Sequence, residues 1–159
     1  MYLVVDRCIR NGTSIVRDDM MAITHTGSCL CGKVRFNTRG QLRGVVYCHC
    51  SQCRRQTGHY LAATNVNDAD IDIVGGDALV WYAASRFAKR GFCGACGSVM
   101  FWKHNDIDEI SVTAGSFDSP TGLEAECHIF VADKGDYYEI DDGLPQCVRS
   151  TPSIKVADE

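Results

Sequence analysis

The sequence feature that most constrains the fold is a group of three cysteines in one short stretch. Cys48, Cys50 and Cys53 have the spacing C-x-C-x-x-C, which places three thiols within six residues. A deprotonated thiol is a good zinc ligand, and a loop of this length can bring three of them to one ion. The stretch is therefore a candidate metal site.

Two cysteine pairs flank this group. Cys29 and Cys31 precede it with the spacing C-x-C, and Cys93 and Cys96 follow it with the spacing C-x-x-C. Seven of the ten cysteines thus lie in clusters. A structural zinc site uses four protein ligands, whereas a catalytic one usually keeps a position open for water or substrate. Seven ligands therefore divide naturally into four and three.

Spacing alone leaves the pairing of these clusters open. The last two cysteines of the central group could join the later C-x-x-C pair in a four-cysteine zinc ribbon. The other three clustered cysteines would then be left over. Spacing also does not separate a structural role from a catalytic one, so both remain open at this point.

Length, charge and hydropathy exclude several classes of protein. The chain has 159 residues, which is enough for one domain with a hydrophobic core. Its formal net charge is −4 and it has no basic stripe, so we expect no nucleic-acid partner. No run approaches the roughly 20 apolar residues that span a membrane, and charged residues interrupt residues 1–21, where a signal peptide needs an apolar run. We therefore expect a soluble, cytoplasmic protein with no membrane partner. In such a reducing compartment, clustered cysteines favour metal over disulfides.

The chain divides into two parts by its patterning. Residues 1–21 are weakly patterned and end at Met20 and Met21, so we predict an N-terminal extension of uncertain order. Residues 22–159 are predicted to form a single zinc-binding domain.

From residue 33 onward, most of the chain is patterned as short strands. Residues 33–37 alternate apolar and polar side chains, and residues 44–47 run apolar into the central cysteines. A helical turn or two is predicted over 51–57. Many short β segments with ligands in the turns between them predict a compact, mainly β fold of short antiparallel strands with little helix. The further strand candidates are 60–66, 71–74, 79–83, 86–92, 98–102, 110–114 and 128–132.

Polar residues near the clusters carry weaker signals. His49 lies between two candidate ligands, so we expect its side chain to point away from the ion, behind the ligands or at the surface. His128 begins an apolar run, where a strand-end histidine with satisfied hydrogen bonds is the default. Arg54 and Arg55 carry guanidinium groups that match carboxylates, which makes them weak candidates for substrate binding. They could equally offset thiolate charge or lie in solvent.

Three sequence blocks resemble the glutathione-dependent formaldehyde-activating enzyme family, which shares its domain with centromere protein V. The blocks are GSCLCGKVRF at 27–36, YCHCSQCRR at 47–55 and FCGACGS at 92–98, and their order is that of the family. The segments HIFV at 128–131 and DGLPQ at 142–146 are also similar. The resemblance therefore covers most of the predicted domain.

The resemblance implies a β-tent fold with two zinc ions per chain. The positions matching the structural zinc site of the family are Cys29, Cys31, Cys93 and Cys96. The positions matching a second, more labile and catalytic zinc site are Cys48, Cys50 and Cys53. This assignment agrees with the division into four and three ligands.

The resemblance also implies an activity. The family condenses glutathione with formaldehyde to S-hydroxymethylglutathione and is classed with the carbon-sulfur lyases because of the reverse reaction. The implied partners are therefore formaldehyde and a small thiol such as glutathione, although divergent relatives could use another thiol adduct. Two non-enzymatic alternatives stay open, a zinc-stabilised binding or scaffold module and a carrier of thiol or zinc.

Overall fold

A computed structural model of the chain describes residues 23–150. The predicted N-terminal extension, residues 1–21, lies outside the described residues. Within residues 23–150 the chain forms ten strands and one α-helix, which confirms the predicted mainly β fold with little helix. The elements are β1 (Thr24–Ser28), β2 (Arg35–Arg39), β3 (Val45–Cys48), α1 (Ser51–Thr57), β4 (Leu61–Asn67), β5 (Ile71–Val74), β6 (Leu79–Ala83), β7 (Ala88–Cys93), β8 (Val99–His104), β9 (Glu109–Thr113) and β10 (Ala125–Ile129).

The strands form two sheets. The smaller sheet has the order β1-β2-β5, and the larger has the order β10-β3-β4-β9-β8-β7-β6. Neighbouring strands are antiparallel except for β10 and β3, which pair in parallel. Because β10 is reached from β9 by a long connection, it can lie beside β3 in the same direction. No helix among the described residues is both long enough and apolar enough to cross a bilayer.

The main core lies between the two sheets. Residues of β2 alternate between exposed and buried, and Phe36 faces inward with 1% of its surface exposed. Its ring packs edge-on against Phe101 of β8, at a centroid distance of 5.8 Å, and against Phe117, at 5.0 Å. Edge-on contacts between rings are favourable, and full burial of such a side chain contributes about 1.5–3 kcal/mol.

Two strands differ most from the sequence prediction, and the other predicted strands lie within two residues of their observed bounds. β1 was not predicted, because its sequence THTGS has no apolar alternation; it forms by pairing with β2, where Gly27 lies opposite Phe36. The predicted strand at 128–132 instead begins at Ala125 and ends at Ile129. It ends there because Phe130 adopts a left-handed backbone with φ of 56°, and residues Val131–Asp133 then form a 3-10 turn.

Candidate metal centres

Four cysteines from two distant turns meet at the junction of the sheets. Cys29 and Cys31 lie in the turn from β1 to β2, Cys93 ends β7, and Cys96 lies in the turn from β7 to β8. We call this group the quartet; all its sulfur atoms lie within 4.8 Å of one another. Since β2 belongs to the smaller sheet and β7 to the larger, an ion held by the quartet would tie the two sheets together.

The sulfur spacing of the quartet fits a tetrahedral zinc ion. Zinc with four Zn–S bonds of about 2.3 Å requires sulfur atoms about 3.8 Å apart. The Cys29 and Cys31 sulfurs are 3.5 Å apart, and those of Cys31 and Cys93 are 3.8 Å apart. Cys29 and Cys93 are buried and Cys31 is exposed, so the group lies at the edge of the core.

Tight turns aim the quartet sulfurs at one point. The amide of Gly97 donates to the carbonyl of Cys93 at 2.8 Å, and Gly97 has φ of 76°, a left-handed backbone that favours glycine. The Val34 amide donates to Cys29 Sγ at 3.3 Å, and the Ser98 hydroxyl lies 3.3 Å from Cys96 Sγ. Hydrogen bonding with Ser98 lowers the pKa of Cys96 to about 5, which favours the thiolate that binds metal.

Three cysteines form a second group around the start of α1. Cys48 ends β3, Cys50 is the N-cap residue of α1, and Cys53 lies within its first turn. We call this group the trio; its sulfur atoms also lie within 4.8 Å of one another. The sequence folds this way because the thiol of Cys50 accepts the amide of Cys53 at 3.4 Å, as a helix cap does.

The trio is suited to a cation and leaves room for another ligand. Hydrogen bonds with Cys48 and Cys53 lower the pKa of the Cys50 thiol, whereas hydrogen bonds with Cys50 and Cys53 raise the pKa of Cys48, so negative charge is concentrated at Cys50. Among the described residues, no fourth side chain joins the group. A tetrahedral ion on the trio would therefore keep one position for water or substrate. The alternative zinc ribbon, which mixes the trio with the later pair, is not the arrangement that the fold makes.

Arg90 is a residue of this site that the sequence analysis missed. It projects from β7 with 5% of its surface exposed, and its Nη1 and Nη2 lie 3.7 and 3.6 Å from Cys53 Sγ. The signal that could have revealed it is register, because Ala88 and Arg90 are both buried while Lys89 between them is exposed. That alternation places Arg90 on the same face of β7 as Ala88, and the side chain of Arg90 contacts α1 on that face.

Arg54 and Arg55, the predicted substrate contacts, lie on α1 beside the trio. Arg55 is exposed, whereas Arg54 is half-buried and its Nε is buried without a hydrogen bond. Among the described residues, neither guanidinium hydrogen-bonds with a cysteine of the trio. Their role in binding a ligand remains a prediction.

His49 points away from the trio, as expected, but it lies inside the protein rather than at the surface. Its side chain is fully buried, with Nδ1 2.5 Å from the Tyr138 hydroxyl and Nε2 2.8 Å from His128 Nδ1. His128 Nε2 in turn lies 2.9 Å from an Asp142 carboxylate oxygen. His128 is thus a strand histidine with satisfied hydrogen bonds, as predicted.

A cleft of about 610 Å³ lies between the two cysteine groups. Cys29 of the quartet lines it directly, and so do Leu61 and Val99, which pack against the cysteines of the trio. Hydroxyl groups and one carboxylate, that of Asp118, supply most of its polar lining. The hydroxyl-bearing residues are Ser28, Thr57, Tyr60, Ser98, Thr113 and Ser116.

The chain is similar to known proteins in sequence and in fold. A sequence model of a family described as glutathione-dependent formaldehyde-activating enzyme matches residues 24–133, which include both cysteine groups. An uncharacterized lyase of Schizosaccharomyces pombe is 23% identical over 116 residues, which are 72% of this chain and 84% of that protein. A crystal structure of a Rhodobacter sphaeroides protein is similar with a TM-score of 0.51 and 28% identity, covering 59% of this chain and 88% of that one.

Proposed function

Because the chain belongs to the family of glutathione-dependent formaldehyde-activating enzymes, we propose that it is a zinc-dependent carbon-sulfur lyase. Its reaction forms or cleaves S-hydroxymethylglutathione or a related adduct of a small thiol. The observation that carries the proposal is the trio, a group of three cysteine ligands that leaves a coordination position for a substrate. The lyase description of the yeast relative supports the same class of reaction.

The two cysteine groups have different roles in this proposal. The quartet holds a structural zinc, for which its four sulfur donors and their spacing are suited. Cys48, Cys50 and Cys53 hold the second zinc, and they are the residues proposed to be catalytic. Bound at the trio, zinc supplies a Lewis acid that polarises an aldehyde oxygen and stabilises a thiolate.

The reaction itself is an addition across a carbonyl group. The sulfur of the thiol forms a bond to the carbon of formaldehyde, and the thiol proton ends on the former carbonyl oxygen. The reverse direction breaks that carbon-sulfur bond and returns the proton to sulfur. The protein is proposed to bring the two reactants together beside the trio, where Leu61 and Val99 reduce the access of water.

Glutathione has carboxylates that the protein must recognise. Arg54 and Arg55 are the residues proposed to bind them, since a guanidinium donates two parallel hydrogen bonds to a carboxylate. The unpaired, buried Nε of Arg54 supports a ligand contact at this residue. Arg55 is exposed and would contact the outer part of the same ligand.

Exchange rates test this proposal, because thiols also add to formaldehyde without a catalyst. NMR magnetisation transfer between free and adduct glutathione measures the rate of formation and cleavage at equilibrium. We expect the exchange rate to rise in proportion to the concentration of the wild-type protein, and Cys50→Ser to abolish that rise. Cys127→Ser makes the same change at a buried cysteine outside both groups, and it should retain the effect.

Other outcomes of the same experiment would favour the alternatives. A wild-type protein that leaves the exchange rate unchanged but releases zinc to glutathione would be a carrier. One that holds two zinc ions tightly and responds to neither substrate would be a scaffold. A Cys50→Ser variant with full activity would refute the catalytic role of the trio.

A further inference from the structure

We propose that Arg90 is the positioning residue of the trio: it fixes the orientation of Cys53 and supplies the counter-charge that lets three thiolates hold one metal ion. The proposal deepens the proposed function and rests on its assignment of a metal to the trio. It does not depend on which thiol is the substrate. Arg90 touches a ligand of the metal and is not expected to touch the reacting atoms.

The guanidinium binds helix α1 at three points. Nη1 of Arg90 donates to Gln56 Oε1 at 2.9 Å, and Nη2 approaches Gln52 Oε1 at 3.3 Å. Both nitrogens also lie against Cys53 Sγ. Because Gln52 and Gln56 are four residues apart, they share one face of the helix. The contacts therefore fix the rotation of α1 about its axis and, with it, the direction of the Cys53 side chain.

The charge of Arg90 has no carboxylate partner in the described part of the chain. The ion pairs between residues 23 and 150 do not include it, and the two glutamine oxygens are neutral. A guanidinium stays protonated in proteins, and a buried charge is costly unless an opposite charge lies nearby. The group that this cation contacts is the Cys53 sulfur, which becomes a thiolate when the trio holds a metal ion. The buried positive charge of Arg90 is therefore best compensated by negative charge on the sulfur atoms of the trio.

The charge balance of the site explains why a cation is needed there. Zinc with three thiolates has one negative charge in excess, and the guanidinium of Arg90 offsets it. Without Arg90, the same anionic cluster, packed against Leu61, would lose the guanidinium that contacts the Cys53 sulfur. Partners that hydrogen-bond metal ligands typically change metal affinity about 10- to 100-fold when they are removed.

Two substitutions separate the charge of Arg90 from its shape. Arg90→Gln removes the charge, whereas Arg90→Lys keeps the charge and loses the planar fork that binds Cys53 and the two glutamines at once. Lys89→Gln is the matched control, because it removes one positive charge from the neighbouring, outward-facing position of β7. The quartet, which Arg90 does not touch, is an internal control in every variant.

Competition with a chromophoric zinc chelator measures the affinity of the two sites in the folded, full-length protein. We expect Arg90→Gln to weaken one of the two sites about 10- to 100-fold, Arg90→Lys to weaken it less, and Lys89→Gln to change neither. Cobalt substitution gives a second readout. Loss of the adjacent charge should shift the thiolate-to-cobalt absorption of the trio to lower energy, a change that a purely structural role would not produce.

The outcomes distinguish this proposal from the proposed function. Wild-type affinity of both sites in Arg90→Gln, or an unchanged cobalt spectrum, would overturn the role of Arg90. If Arg90→Gln does not fold, Arg90→Lys decides, and wild-type affinity in that variant would overturn the role of the fork. The zinc affinity of the trio could fall in Arg90→Gln while the wild-type protein shows no lyase activity. That pair of results would support the role of Arg90 and reject the proposed enzyme activity.

Discussion

His49 Nε2 lies 2.8 Å from His128 Nδ1 in the interior behind the trio. His128 Nε2 lies 2.9 Å from an Asp142 carboxylate oxygen, and His49 Nδ1 lies 2.5 Å from the Tyr138 hydroxyl. One chain of hydrogen bonds thus joins Tyr138, the two imidazoles and Asp142, and it holds the backbone between Cys48 and Cys50.

The buried histidine makes stability depend on pH. Burial, helped by the nearby His128, lowers the pKa of His49 from 6.5 to about 4. As the pH falls from 6.5 to about 4, His49 becomes protonated in the unfolded chain but stays neutral in the folded protein, so the free energy of unfolding decreases. The contribution of His49 is fully present above pH 6.5 and is lost toward pH 4.

Denaturant unfolding at several pH values tests this dependence. We expect His49→Gln to flatten the loss of stability between pH 6.5 and about 4, because glutamine does not titrate. Zinc content is measured in the same samples, and only those that retain wild-type zinc are compared. Parallel slopes in the two proteins would contradict the prediction.

The Tyr138 hydroxyl should contribute more to the free energy of unfolding than the hydroxyl of the adjacent Tyr137. Tyr138→Phe leaves a buried nitrogen of His49 without a partner, which we expect to cost about 1–3 kcal/mol. The matched control is Tyr137→Phe, because that hydroxyl makes a 3.3 Å hydrogen bond to the Gly58 carbonyl at the surface. We expect the control to cost less than about 0.5 kcal/mol in urea unfolding. Equal losses in both variants would rule out a special role for the buried chain.

Loss of the quartet should unfold the protein, whereas loss of the trio should not. Cys93 is fully buried and joins the sheet of β7 to the turn after β1. A structural zinc contributes about 10–16 kcal/mol of apparent binding energy, as much as the whole stability of a typical domain. We therefore expect Cys93→Ser to lose the cooperative thermal transition that Cys50→Ser keeps. Thermal unfolding followed by circular dichroism tests this prediction. A Cys93→Ser protein that folds without zinc would contradict the structural role of the quartet.

Gly27 should tolerate no side chain. A Cβ at this position would lie 2.3 Å from the Phe36 ring and 2.3 Å from the Ser116 carbonyl oxygen. Since backbone and a core ring both obstruct it, we expect Gly27→Ala to cost about 1–3 kcal/mol or more in denaturant unfolding. At Gly115 a Cβ would meet nothing within 4 Å, so Gly115→Ala is the control and should leave stability nearly unchanged. A Gly27→Ala protein of wild-type stability would mean that β1 does not pack as described.

The sequence could predict the parts of this fold whose signal is local. The strand Leu79–Ala83 and the helix Ser51–Thr57 were predicted with their observed bounds, because turn residues precede an apolar run in the first and Cys50 caps the second. The separation of the quartet from the trio followed from a family resemblance, since spacing alone also allowed a zinc ribbon. β1 escaped prediction because only its pairing with β2 makes it a strand.

The partners of the candidate site were harder to predict because they are distant in sequence. Arg90 lies 37 residues from Cys53, and only the register of β7 brings their side chains together. His49 and His128 are 79 residues apart and meet because β10 pairs in parallel with β3, an arrangement that no local pattern signals. Residue type and spacing identified the candidate ligands, while the charge and hydrogen bonds around them depend on tertiary structure.

Zinc per chain, measured by native mass spectrometry, tests the central claim most directly. The account predicts two zinc ions in the wild-type protein, one in Cys50→Ser and two in Cys127→Ser, whose substituted cysteine lies outside both groups. A single zinc in the wild-type protein that Cys50→Ser leaves in place would contradict it.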